Sequence, residues 1–143
     1  LEDFFIEYGK QDIRPGEFVE AIHIPLPDSR DIFEVHKISK RRDEDISSVC
    51  GAFWIKRDGD QIDDARIAFG GMAGIPKRAH SVEQKLIGQS WTEETVVRAQ
   101  DCFAKDFEPI TDARASAKYR ALVCRNLLMR VYQSTLAKQE EVA

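Results

Sequence analysis

The sequence predicts an α+β fold, an antiparallel sheet of three to four strands followed by three helices packed on one of its faces. Three observations carry that prediction. As far as Phe69, apolar residues recur with a period of two; beyond Gly70-Gly71 they recur every three or four; and the two patterns never alternate as a βαβ fold requires. With 143 residues, 43% of them apolar and 32% charged, the chain suits one domain better than two.

Residues 1–16 read as an opening segment that ends in the turn Arg14-Pro15-Gly16, and residues 17–143 as the domain proper. Residues 17–24 are rich in β-branched and aromatic side chains and predict a strand. Pro25 and Pro27 stop it, because proline cannot donate to a ladder. A second strand over 32–38 puts Phe33, Val35 and Lys37 on one face and Ile32, Glu34 and His36 on the other. The charged run 40–45 is then a loop. Residues 46–57 alternate Val49, Gly51, Phe53 and Ile55 with Cys50, Ala52 and Trp54, a strand with both faces covered and therefore central. Asp58-Gly59 spells a tight hairpin turn into the strand carrying Ala65, Ile67 and Phe69.

Ser81 with Gln84 forms a capping-box pattern for a short helix ending near Gly88, and Ser90 with Glu93 repeats it. Val96, Ala99, Phe103 and Phe107 make the apolar stripe of one helix that stops before Pro109. Over 116–138, Ala117, Ala121, Cys124, Leu128 and Val131 recur at helical spacing, with Leu127 and Tyr132 widening the buried face.

Twenty-one Lys and Arg against twenty-five Asp and Glu leave a net charge of −4, which argues against nucleic acid or an acidic membrane as partner. The apolar runs are too short to span a bilayer and no secretory signal is present near Leu1, so a soluble, cytoplasmic chain is expected. The opening at Leu1 running straight into Phe4-Phe5 is the start expected of a piece cut from a longer protein. Cys50, Cys102 and Cys124 have neither disulfide nor cluster-ligand spacing, and His23, His36 and His80 have no metal-ligand spacing; no metal site is expected.

Lys37 is the unusual placement, since it shares a strand face with Phe33 and Val35. It is either an ammonium aimed at an anionic ligand or a developing charge, or a strand-end lysine that snorkels to water. The run Lys40-Arg41-Arg42-Asp43-Glu44-Asp45 reads as a loop over a ligand or as a solvated turn. Gly70-Gly71-Met72-Ala73-Gly74 lacks a GxGxxG or GxxxxGK pattern and reads as a strand exit. Arg114, Lys118, Arg120, Arg125 and Arg130 make the last helix basic, as a docking surface or as long side chains flanking a buried face. No nucleophile motif stands out, and no catalytic residue is assigned.

Phe4-Phe5 with Tyr8 and Lys10, Pro15-Gly-Glu17-Phe-Val-Glu-Ala-Ile-His-Ile-Pro25, Lys37 followed by Ser39-Lys-Arg-Arg-Asp-Glu-Asp45, Phe69-Gly-Gly-Met-Ala73, Pro76-Lys-Arg-Ala79 and Ser116-Ala-Lys-Tyr-Arg120 occur in that order. In these the chain resembles, over nearly its whole length, the C-terminal domain of the flavoprotein (FAD) subunit of molybdenum hydroxylases. It looks closest to xanthine dehydrogenase and is related to CO dehydrogenase.

The resemblance implies a share in an FAD site, with most of the FAD held by a missing upstream domain. Molybdopterin and two [2Fe–2S] clusters would lie only in partner domains or subunits. Electrons would leave through the flavin to NAD⁺, in purine catabolism for a xanthine dehydrogenase. Lys37 matches the family lysine that approaches the flavin. Phe18 or Val19 matches the apolar position packing on the ring, with Val19 favoured, because alternation lets only one of the two point that way. Arg41, Arg42 and Glu44 match a flavin-proximal loop. The competing reading is a non-catalytic assembly module that docks subunits of the same kind of complex.

Overall fold

The computed structural model describes residues 1–142, with side chains through residue 137. A small hairpin, β1 (Phe5–Glu7) and β2 (Lys10–Gln11), opens the chain. A four-stranded antiparallel sheet follows, β3 (Ile32–Ile38), β4 (Val49–Asp58), β5 (Gln61–Gly70) and β6 (Lys77–Arg78), in that spatial order. Helices α1 (His80–Leu86), α2 (Glu93–Gln100), α3 (Phe103–Asp106) and α4 (Ala117–Val142) complete it. The α+β class, the antiparallel sheet and the single helical layer are as the periodicity predicts.

The hairpin β4–β5 organises the sheet. Its turn places Gly59 at φ +58°, a left-handed conformation that glycine adopts without a Cβ clash, and Asp58 then pairs with Gln61. Val49, Phe53 and Ile55 of β4 and Ala65, Ile67 and Phe69 of β5 all face the helices and are buried. Gly51 is required between them, because a Cβ there would stand 2.8 Å from the Phe69 ring. Phe69 meets Phe53, Phe103 and Phe107 edge-on at centroid distances of 5.5, 5.5 and 5.6 Å.

Several expectations are corrected. Residues 17–24 form no strand: residues 12–31 have no regular secondary structure, with Phe18 80% and Leu26 92% exposed. The β-branched and aromatic residues are there, but a strand needs a neighbour for its amides and carbonyls, and among the described residues no strand pairs with this segment. The fourth strand is instead the two-residue β6. The central strand starts at Val49 rather than Ile46, which is exposed, and only one of its faces is fully covered.

Of the two faces that alternation defines on β3, the one without Phe33 and Val35 is covered. Ile32, Glu34, His36 and Ile38 turn toward the helices, while Phe33, Val35 and Lys37 are exposed. Lys37 thus stands on an open face and not in an apolar layer. Glu34 is satisfied on the covered side by Nε2 of His36 at 3.0 Å and by the Ser134 hydroxyl of α4.

The capping patterns were misplaced. The N-terminus of α1 is capped from outside by the Asp106 carboxylate, which accepts from the amides of Ser81 and Val82. Thr92, not Ser90, caps α2 by accepting from Thr95 N. The single stripe from Val96 to Phe107 is broken after Gln100 into α2 and α3, so the described residues form four α-helices where the sequence predicts three. In α4 the buried stripe begins at Arg120 and skips Ala121, continuing through Cys124, Leu127, Leu128 and Val131.

Where β6 ends, the Ile67 amide loses its strand partner and donates instead to Glu83 Oε1 of α1 at 2.7 Å. Glu83, 3% exposed, also takes two bonds from Arg78. A buried carboxylate with its acceptors filled thus joins helix to sheet edge.

Opposite outcomes are expected at two phenylalanines of the sheet. Phe53→Ala should cost about 3–5 kcal/mol in urea unfolding, as a cavity in a packed core does, whereas Phe33→Ala should change stability by no more than about 0.5 kcal/mol.

Candidate functional site

The helices cover one face of the sheet and leave the other open. On the open face Phe33 lies opposite Trp54, Val35 opposite Ala52, and Lys37 opposite Cys50. Phe33 and Val35 are 57% and 55% exposed, Trp54, Ala52 and Cys50 are half-buried, and Lys37 is exposed at the strand's end. Trp54 is anchored by its Nε1, which donates to Asp31 Oδ2 at 2.8 Å. A cation at the end of an aromatic and aliphatic surface is the result.

The charged run departs directly from Lys37. It is a closed loop, its base joined by the Ser48 amide donating to the Ile38 carbonyl at 2.7 Å. Asp45 Oδ2 accepts from the amides of Lys40 and Arg41 at 3.1 and 3.0 Å. Those bonds, with the Arg41 amide first, hold the Asp45 carboxyl below its ordinary range. Arg41 also donates to the Glu44 carbonyl, and Glu44 sits at φ +50°, a left-handed conformation that costs a non-glycine residue about 1–2 kcal/mol. Arg41, Arg42 and Glu44 are exposed.

Phe18 and Val19 are placed elsewhere. They line a shallow cleft with Phe4, Asp12 and Ile13, and that lining holds none of Lys37, Arg41, Arg42 and Glu44. A larger cleft of about 550 Å³ lies between the opening hairpin and the turn before α4, with Tyr8, Ile46, Pro76, Ile110 and Arg120 among its walls.

One functional-looking pair escaped the sequence reading. Arg120 reads in sequence as part of the basic flank of the last helix, yet it is 3% exposed and pairs with Asp112 Oδ1 at 2.6 Å. The signal was available, since Arg120 lies four residues before Cys124 and so falls in the buried stripe. Asp112 Oδ1 also accepts from the amides of Arg114 and Ala115, and these bonds, then Arg120, bring its carboxyl down to about 2. Burial pushes the Cys124 thiol up, out of any nucleophilic range.

Among the described residues, no group of three or more His, Cys, Asp or Glu side chains is placed to hold a metal, and no helix is long and apolar enough to cross a membrane. A flat apolar surface ending in a lysine fits the edge of a ring system that gains negative charge on reduction. The Gly70–Gly74 turn is no diphosphate cradle: Gly71, at φ +80°, is packed against the Ser48 carbonyl and Arg120.

Residues 34–135 match the CO dehydrogenase flavoprotein C-terminal domain family. Among curated relatives, the glyceraldehyde dehydrogenase medium chain of Sulfolobus acidocaldarius is 31% identical over 131 residues, covering 92% of this chain and 46% of that one. Xanthine dehydrogenase 2 of Arabidopsis thaliana is 32% identical over 96 residues, 64% of this chain and 7% of that one. The fold is shared with carbon monoxide dehydrogenase from Hydrogenophaga pseudoflava, with a TM-score of 0.85 at 24% identity over 94% of this chain and 47% of that one. It is also shared with quinoline 2-oxidoreductase from Pseudomonas putida 86, with a TM-score of 0.79 at 24% identity over 93% of this chain and 46% of that one. The chain spans about half the length of the glyceraldehyde dehydrogenase chain (46%) and a far smaller share of xanthine dehydrogenase 2 (7%).

The depressed Asp112 carboxyl has a defined pH signature. A carboxyl whose folded pKa lies below its unfolded value stabilises the fold fully above that value, here 3.8, and the contribution is lost as pH falls toward about 2. In urea unfolding at stepped pH, the stability advantage of the wild type over Asp112→Asn should therefore shrink between those limits and be constant above them.

Proposed function

The chain belongs to the CO dehydrogenase flavoprotein C-terminal domain family, and from that membership and its open sheet face we propose that it completes the flavin site of a xanthine dehydrogenase-type molybdenum hydroxylase. The observation that carries the reading is the placement of Lys37, exposed at the end of β3 beside Phe33 and Val35, on the face the helices leave bare.

In this reading an upstream domain holds most of the FAD, and partner domains or subunits hold molybdopterin and the [2Fe–2S] clusters, all in the cytoplasm. FAD, when bound, supplies the two-electron link between the clusters and NAD⁺. The chain's own residues then act electrostatically and sterically. Lys37 brings an ammonium toward the ring and favours its electron-rich form. Phe33 and Val35 exclude water beside it, which strengthens that attraction. Arg41, Arg42 and Glu44 set the local potential on the side NAD⁺ approaches.

Val19, or Phe18, is the apolar residue this reading sets against the ring, carried by the exposed run 17–26, which has no regular secondary structure. The same exposed run, with Phe18, Ile22, Ile24 and Leu26, favours the second reading, an assembly module whose contribution is docking alone.

Two measurements test these readings. In the complete complex Lys37→Met should lower the flavin midpoint potential by about 20–40 mV, roughly 1–2 kcal/mol for a two-electron couple, and slow NAD⁺ reduction; an unmoved potential and rate would leave only the assembly module. In a fluorescence titration FAD should bind the chain weakly alone and tightly once the upstream domain is added, and tight binding to the chain alone would contradict a shared site.

A further inference from the structure

Arg120 gathers three separated segments of the chain around one guanidinium, two through backbone carbonyls and one through a carboxylate. Its Nη1 donates to the Ser48 carbonyl and, at 2.7 Å, to the Gly71 carbonyl; its Nη2 donates to Asp112 Oδ1. The two carbonyl-bearing segments are pressed so closely together that a Cβ at Gly71 would collide with the Ser48 carbonyl oxygen. Both carbonyl oxygens accept from the same nitrogen, so Arg120 is the donor that holds the two segments together. Its Nε has no partner among the described atoms, an unmet donor the site carries for the sake of the other contacts.

Ser48 is the last residue before β4, so this contact grips the exit of the charged loop. The Ser48 hydroxyl adds a bond to the Arg114 carbonyl at 3.3 Å. The loop's entrance rests on the same support, because Lys40 Nζ donates to the Ala113 carbonyl at 2.9 Å. The support is itself folded by Asp112, which accepts from the amides of Arg114 and Ala115, and by Thr111 Oγ1, which accepts from Ala117 N. Both ends of the loop are thus tied to the turn 111–115, and the Asp45 carboxylate holds its interior together.

We propose that Arg120, with Asp112 and the turn 111–115, is a positioning residue for the charged loop, setting where Arg41, Arg42 and Glu44 stand relative to Lys37. The proposal rests on the reading that this loop faces a flavin. It assigns α4 a task besides closing the core, since the helix start determines the geometry of a loop some seventy residues earlier in the chain (Ser48 and Arg120 are 72 apart). A lysine cannot replace the arginine, because only a planar fork reaches two carbonyls with one nitrogen and a carboxylate with the other.

The test compares Arg120→Gln, Arg120→Lys and Lys37→Met in the complete complex, reading amide hydrogen exchange at Lys40, Arg41 and Ser48 together with the flavin midpoint potential. In Arg120→Gln the loop amides should exchange at least about tenfold faster while those of the β4–β5 core keep their protection. The potential should shift, and Arg120→Lys should rescue little of either change. Loop exchange at the wild-type rate overturns the proposal, and so does a freed loop with an unmoved potential while Lys37→Met shifts it. If Lys37→Met leaves the potential unmoved, the flavin reading itself has failed and the proposal with it. Should Arg120→Gln fail to fold, Lys40→Met decides, because it releases the loop's entrance from the Ala113 carbonyl at an exposed side chain: faster exchange with a shifted potential supports positioning, and wild-type values of either overturn it.

Discussion

Phe69 touches three other aromatic rings at once, and that cluster accounts for most of what the molecule looks like. Phe53 arrives from the neighbouring strand, Phe103 from α3 and Phe107 from the chain just beyond it, all edge-on. Every large apolar residue of β4 and β5 that joins them points to the same side. The helices therefore have one face to pack against, and each buries its stripe there. Gly51 belongs to the same constraint, since any larger residue would push the Phe69 ring aside.

Packing on one side only leaves polar groups to be dealt with where elements meet, and the chain resolves these with carboxylates. Glu83 replaces a missing strand at the end of β6, Asp106 supplies the cap that α1 lacks, and Asp112 folds the turn that starts α4. Each one accepts from backbone amides at a place where two elements meet. Carboxylates in these roles bind helix to sheet and helix to helix, which apolar contacts cannot do with the same directionality.

The other side of the sheet follows from the same sidedness. Phe33, Val35 and Lys37 are exposed because no helix remains to cover them, and the charged loop departs from their edge. Relatives in the CO dehydrogenase flavoprotein C-terminal domain family share this arrangement of sheet and helices. The uncovered face, its cation and the closed loop thus lie together at one edge of the sheet. The run at 17–26, with Phe18, Val19, Ile22, Ile24 and Leu26, is likewise exposed.

Much of the fold was legible in the sequence, because its signals are local. A period of two, the Asp58-Gly59 turn and the stripe of the last helix depend on side-chain direction within one element, and the class, the hairpin and the buried residues of β5 and α4 follow from them. The order of motifs likewise identified the family, and Lys37 stood out by its placement. Which face of β3 meets the helices was not legible, since alternation defines two faces without saying which is covered, and the packing of Glu34 with His36 and Ser134 decided it. Nor was the loss of the 17–24 strand, because a strand is completed by its neighbour. Asp106 as the cap of α1 and Arg120 as the tie between Ser48, Gly71 and Asp112 join residues far apart in the chain. Such contacts are a property of how the elements are stacked, so sequence by itself determined the elements whose signals are local, and tertiary structure decided their partners and whether a segment such as 17–24 became an element at all.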